Sequence, residues 1–322
     1  MSRFGAWLLL ALAGACVQPP RAPDPPRLAR VESWGIQLQG LEYEGAIDRL
    51  EFAPYDMVVI DPTRTVRGLE SFPTRDVVGR LRKSKLCLAY INVGQAEDYR
   101  TYWRNHWKAP TEEGPGTPAY MLSVDPDGWE GNYPVAFWDL RWKAVLWGSA
   151  EALVDGAIAD GFDGVYLDWI LGYEEPAVVA AAQAAGVEPA AAMVQLVHDL
   201  RAYAQRKQRG FLIVAQNGAE LVEQEPRYTE WIDGIAQEAV SFRGTAGADW
   251  EDPAGGDIAI PAEGDWSTEA LTRHLKLYRD AGLPVFTLDY ALKPENAALA
   301  RKRSRANGFV PCVSRATLDR IP

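Results

Sequence analysis

Two acidic side chains, Asp168 and Glu238, each close a short apolar, β-prone run: GFDGVYLDW reaches Asp168, and IDGIAQEAV carries Glu238 near its end. In a closed α/β barrel, reactive groups sit at the C-terminal ends of several strands. Two carboxylates brought together there can break a glycosidic bond. One attacks or stabilises the anomeric carbon while the other protonates the leaving oxygen. That division needs surroundings that push the two proton affinities apart. Other strand ends are polar as well: Gln37, Asp61, Asn92, Asn217, Asp289 and Tyr290, with Tyr166 and Trp169 flanking Asp168. These form the candidate substrate-binding set. A barrel strand has no structural need for an acid at this end, and burying several costs free energy unless they bond one another or a ligand. For Asp61, which precedes Pro62, a turn is an equal explanation. Trp34, Tyr90, Trp138, Trp169 and Tyr290 fall near strand ends or entry loops, where rings could stack on sugar faces. Core packing is the alternative for most of the 12 tryptophans.

Eight apolar runs could position these groups: 34–40, 55–62, 85–94, 162–169, 211–218, 233–240, 284–290 and 307–314. Most are continuous rather than alternating, as parallel strands covered on both faces require. Helical spacing lies between them, in WKAVLWGSAEALVDGAIADG, in MVQLVHDLRAYAQRKQRG before Gly210, and in STEALTRHLKLYRDAG, where Ser267 is the expected cap and Gly282 the stop. Strands alternating with helices over this length predict a single (β/α)8 barrel spanning 31–322. An open doubly wound sheet is the runner-up, but its GxGxxG fingerprint is absent. Two long Gly-, Pro- and Asp-rich stretches, 109–135 and 241–265, are expected to wall the active end.

Other chemistries find little support. His106, His198 and His274 form neither HxH nor HExxH, so no metal is expected. There is no GxSxG elbow and no phosphate loop, and no cofactor is expected. Residues 1–15 read as a secretory leader, with Arg3, an apolar run and Ala13-Gly14-Ala15. Cys16 follows directly, as in a bacterial lipoprotein, so the protein is expected to be secreted or held in the cell envelope through lipidated Cys16. Residues 16–30 are Pro-rich and are expected to form an extended tether. Cys87 and Cys312 lie in apolar runs and read as buried thiols. Without the leader the chain carries 32 basic and 44 acidic residues, a balance poorly suited to nucleic acid. A monomer acting on a polysaccharide is expected.

Several strings, read in order, resemble glycoside hydrolase family 114, the endo-α-1,4-polygalactosaminidase-like barrels. They are WGIQLQG, YDMVVIDP, LAYINVGQAEDYRTYW, FWDLRWKAVLW, GFDGVYLDW, AQNGAEL, IDGIAQEAV and VFTLDYA. The resemblance runs from about Trp34 to about Ser314. It implies a hydrolase of an α-linked, amino-sugar-containing polysaccharide, with the family's two acids falling on Asp168 and Glu238. By analogy with retaining barrels, Asp168 is the expected nucleophile and Glu238 the acid/base. Asp61, Asn92, Asn217 and Tyr290 match positions that would line the first subsite. Two departures bear on the substrate: Leu171 stands where relatives carry a second acid, and Gln95 where an acid is common. Their loss weakens the expectation of a cationic polymer. The alternatives to an enzyme are a non-catalytic carbohydrate-binding barrel of the envelope and a scaffold that uses the barrel for protein contacts.

Overall fold

The structure, a computed structural model, describes residues 27–321; the expected leader and Cys16 lie outside them. Eight parallel strands run in one sheet: β1 Trp34–Gln37, β2 Met57–Ile60, β3 Leu86–Asn92, β4 Gly164–Asp168, β5 Leu212–Gln216, β6 Gly234–Glu238, β7 Val285–Tyr290 and β8 Val310–Ser314. Sequential strands are neighbours throughout, and the expected (β/α)8 barrel is the fold. Helices α1 Ala46–Phe52, α2 Thr74–Leu81, α3 Leu140–Leu146, α4 Leu153–Asp160, α5 Pro176–Ala185, α6 Pro189–Lys207, α7 Leu221–Gln224, α8 Thr268–Asp280 and α9 Pro294–Ala306 connect them.

Strand alternation divides the core in two. Trp34, Ile36, Met57, Val59, Leu88, Tyr166, Val214, Ala236, Phe286, Leu288 and Cys312 fill the barrel interior. The alternate residues, among them Val58, Ile60, Cys87, Ala89, Val165, Leu167, Ile213, Ala215 and Ile235, pack outward against the helices. Burial on both faces explains why the strands read as unbroken apolar runs. It also sets which residue at each strand end can face a ligand.

The first and last strands are sealed by side chains and loops. The Trp34 indole donates to the Val310 carbonyl at 3.0 Å. Past the strand ends, the Leu38 and Gln39 amides donate to the Leu318 carbonyl at 2.8 and 3.2 Å.

Three local expectations change. The tether does not remain extended to Arg30: residues Arg27–Arg30 form a 3-10 turn whose Leu28 is buried in the barrel interior with Val31. Arg27 pairs with Asp163 at the foot of β4. Residues 27–30 are packed onto the barrel by burial of this apolar plug. The single helix expected across 142–161 is two helices, α3 and α4. The break falls at Trp147, whose backbone is extended, and Gly148 at φ 109°. The Asp155 carboxylate accepts from the Gly148 amide at 2.9 Å across that break. Trp34 lies at the opposite end of the barrel from Asp168, stacked among Tyr166 and Phe286, and stacks on no ligand face. By contrast, Ser267 caps α8 as expected, accepting from the Ala270 amide at 3.1 Å, and Cys87 and Cys312 are buried free thiols.

Candidate active site

A cleft of about 690 Å³ opens at the C-terminal ends of the strands. The inward parity of each strand puts one side chain on its floor: Asp61 after β2, Tyr90 on β3, Asp168 on β4, Gln216 on β5 and Glu238 on β6. Asp168 and Glu238 face the same cleft across β5. Each is held by donors. The Tyr90 hydroxyl donates to Asp168 Oδ2 at 2.5 Å, and the Trp169 amide to Oδ1 at 2.7 Å. The Asn217 side-chain amide donates to Glu238 Oε2 at 2.9 Å, and the Tyr290 hydroxyl donates to Oε1. Asn217 Oδ1 also accepts from the Glu238 amide and from Gln237 Nε2, both at 3.0 Å, so Asn217 positions the acid through both ends of its carboxamide.

Burial first, then the nearby Glu238 charge, push the Asp168 carboxyl up to about 7, against the hydrogen bond from Tyr90, which lowers it. The Asp168 carboxyl therefore binds its proton far more tightly than an ordinary aspartate.

The residue immediately after each of β4, β5 and β6 is a non-glycine in the left-handed region: Trp169 at φ 63°, Asn217 at 64° and Ala239 at 51°. Such backbone costs about 1–3 kcal/mol at each position and persists where its surroundings over-determine it. Three in succession turn the chain sharply away at the point where each strand delivers its side chain to the cleft. Loop contact there is close: a Cβ on Gly94 would lie 2.4 Å from the Trp169 carbonyl oxygen.

The other expected substrate-binding residues divide by strand parity. Asp61 and Trp169 line the cleft together with Asn217. Gln37 and Asp289 do not: each follows an inward residue and points away. Gln37 Nε2 instead staples the barrel seam, donating to the Gln39 and Asp319 carbonyls at 3.0 and 2.9 Å. Asp289 Oδ1 anchors the 241–265 loop by accepting from the Ser241 and Phe242 amides at 2.6 and 2.9 Å. Asn92 has the inward parity but folds into its own turn, bonding Gln95 Oε1 at 2.9 Å and accepting from the Gln95 amide at 2.8 Å. Tyr166 is fully buried one layer below the floor. Tyr290 reaches the site through Glu238 rather than as a cleft wall. Trp138 is not among the lining residues.

Asp61 is explained neither by a turn alone nor by a free acid. It accepts both Arg100 guanidinium arms, at 2.7 and 3.0 Å, while Arg100 also reaches Glu97 at 2.8 Å. All three are buried. Burial raises the Asp61 carboxyl, and Arg100 opposes that. No spacing rule links positions 61 and 100, so this group is invisible in the sequence.

Both long loops wall the cleft, as expected. The 109–135 loop contributes Asp127, Trp129, Glu130 and Asn132, and the 241–265 loop contributes Asp249. Gln95 donates to Asp125 Oδ2 at 2.5 Å, and Asp125 Oδ1 accepts from the Asp127 and Trp129 amides at 2.9 and 2.8 Å. Burial raises the Asp127 carboxyl, followed by the charges of Asp125 and Glu238. The loop therefore places an acid, Asp125, against Gln95, where an acid is common in relatives. Tyr43 and Tyr99 add further aromatic surface. Sequence reasoning missed Gln216, although it shares the parity of Asp168 and Glu238.

A (β/α)8 barrel with a carboxylate pair at its strand ends is an arrangement found in many glycoside hydrolases. Within that class, the chain belongs to glycoside-hydrolase family GH114, whose model matches residues 17–321. A protein of Deinococcus radiodurans is 32% identical over 316 residues, covering 96% of this chain and 91% of its own length. One of Thermotoga maritima is 24% identical over 299 residues, covering 89% and 82%. Among solved structures, the glycoside hydrolase domain of PelA from Pseudomonas aeruginosa superposes with a TM-score of 0.61 at 19% identity, covering 90% of this chain and 96% of that domain. Aspergillus fumigatus Ega3 in complex with galactosamine gives 0.57 at 14% identity, covering 90% and 93%. At those identities the likeness is one of fold.

Proposed function

We propose that this glycoside hydrolase cleaves within an α-1,4-linked, amino-sugar-containing polysaccharide, with Asp168 as nucleophile and Glu238 as acid/base. One observation carries the substrate class. The residues lining the cleft include eight carboxylates, Glu42, Asp61, Asp127, Glu130, Asp168, Glu238, Asp249 and Asp319, and one cation, Arg100, already bound to two buried acids. Such a field concentrates cationic chains and repels anionic ones. The galactosamine bound to Ega3 supports the same substrate class.

Burial raises the Asp168 carboxyl, and an incoming ammonium favours its ionised, nucleophilic form. Glu238 then protonates the leaving oxygen as Asp168 bonds to the anomeric carbon. In the second half, Glu238 takes a proton from the attacking water and Asp168 is released. Tyr290 and Asn217 hold Glu238 in place through both steps. The reaction takes place outside the cytoplasm, by an enzyme that is secreted or tethered through lipidated Cys16.

The test is to incubate residues 17–322 with partially deacetylated and with fully N-acetylated galactosaminogalactan and measure released oligosaccharides. Release from the deacetylated polymer, lost in Asp168→Asn and Glu238→Gln, is expected. Equal cleavage of both polymers would remove the cationic reading, and binding without cleavage would favour the carbohydrate-binding barrel.

A further inference from the structure

Gln216 occupies the strand between the two acids. The β4–β5 register pairs Leu167 with Ala215, and the β5–β6 register pairs Gln216 with Ala236, two residues before Glu238. Its side chain therefore lies on the cleft floor between Asp168 and Glu238. Gln216 is only 4% exposed, lines the cleft, and its Oε1 is buried without a hydrogen-bond partner. A desolvated carbonyl without a donor is costly, and native structures keep few of them outside functional sites.

Four donors around the pair are committed to the acids, while the Tyr166 hydroxyl, below the floor, has no partner either. The Tyr90 hydroxyl and the Trp169 amide go to Asp168, and the Tyr290 hydroxyl and Asn217 Nδ2 go to Glu238. None of these donors reaches Gln216 Oε1, which stays unpartnered on the floor of an open cleft where a ligand can supply the donor.

Resting on the glycan reading above, we infer that the Gln216 carboxamide is a substrate contact: its Oε1 accepts a hydrogen bond from a hydroxyl or ammonium substituent of the sugar whose anomeric carbon reacts. Gln216 then fixes that ring over the two carboxylates, and the bond is fully made only when the sugar is seated between them. An interaction that tightens at the reacting ring acts on turnover more than on capture.

The variants are Gln216→Met, which keeps the volume and removes the acceptor, and Gln216→Glu, which keeps an acceptor and adds charge. For residues 17–322, Gln216→Met should melt about 1–3 °C higher than wild type, because an unpartnered buried acceptor is gone. Its kcat/KM on partially deacetylated galactosaminogalactan should fall 10- to 100-fold, equivalent to about 1.4–2.8 kcal/mol, mostly in kcat, with the pH profile in place. Gln216→Glu should retain more activity than Gln216→Met but shift the acidic limb of the profile upward, since a third carboxylate raises its neighbours. A Met variant that melts lower than wild type would show a structural amide and overturn the inference, as would wild-type turnover in that variant. A wild-type chain that cleaves no polymer overturns the function reading instead. The melting comparison then still decides the role of Gln216: a higher-melting Met variant retains it as a ligand contact and a lower-melting one removes it.

Discussion

Asp168→Asn should stabilise the free protein increasingly as the pH rises, even as it abolishes turnover. The Asp168 carboxyl stands at about 7 in the folded chain against 3.8 ordinarily, raised first by burial and then by Glu238. A group whose folded value is raised binds its proton more tightly folded than unfolded. Its contribution is therefore most favourable below about 4 and is lost as the pH climbs through about 7. Each pH unit of separation is worth about 1.4 kcal/mol, so the burden of the ionised form approaches about 4 kcal/mol above pH 7 and is roughly 1.5 kcal/mol at pH 5. Water in the cleft screens part of this, leaving an expected change of about 1–3 kcal/mol between pH 5 and pH 8. Urea unfolding of both proteins at the two pH values measures it, because titrations elsewhere cancel in the difference between mutant and wild type. The stability advantage of Asp168→Asn should grow by that amount at pH 8. An advantage that stays constant or shrinks would refute the reasoning: Asp168 would then carry no raised proton affinity.

If Asp168 attacks as an anion, kcat/KM on an uncharged oligosaccharide should rise with pH through about 7; a fall through that value would exchange the roles of Asp168 and Glu238. The Tyr90 hydrogen bond lowers the Asp168 carboxyl, so Tyr90→Phe should move the same limb to higher pH, and an unmoved limb would show that Tyr90 does not act on Asp168. Arg100→Met strands Asp61 and Glu97 as buried acids and should cost about 3–5 kcal/mol in chemical denaturation, whereas a loss below 1 kcal/mol would mean that water reaches the cluster. Cys16→Ala should release the full-length protein from the membrane fraction, and an unchanged distribution would favour plain secretion.

The sequence by itself determined the architecture and the two acids. Eight apolar runs became eight barrel strands because parallel strands buried on both faces must be continuously hydrophobic, and that demand is local enough to read. Asp168 and Glu238 stood out because an acid ending such a run has no packing role. Strand parity was also present in the sequence. It would have placed Gln216 on the floor and turned Gln37 and Asp289 away, since side chains alternate along a strand. Tertiary structure alone decided the rest. Arg100 meets Asp61 across 39 positions, the 109–135 loop brings Asp127 and Glu130 to the cleft, and Leu28 plugs the barrel from a stretch that composition marks as tether. The raised proton affinity of Asp168 belongs to the same category. It depends on burial and on a second charge 70 residues away, quantities that exist only once the barrel has closed.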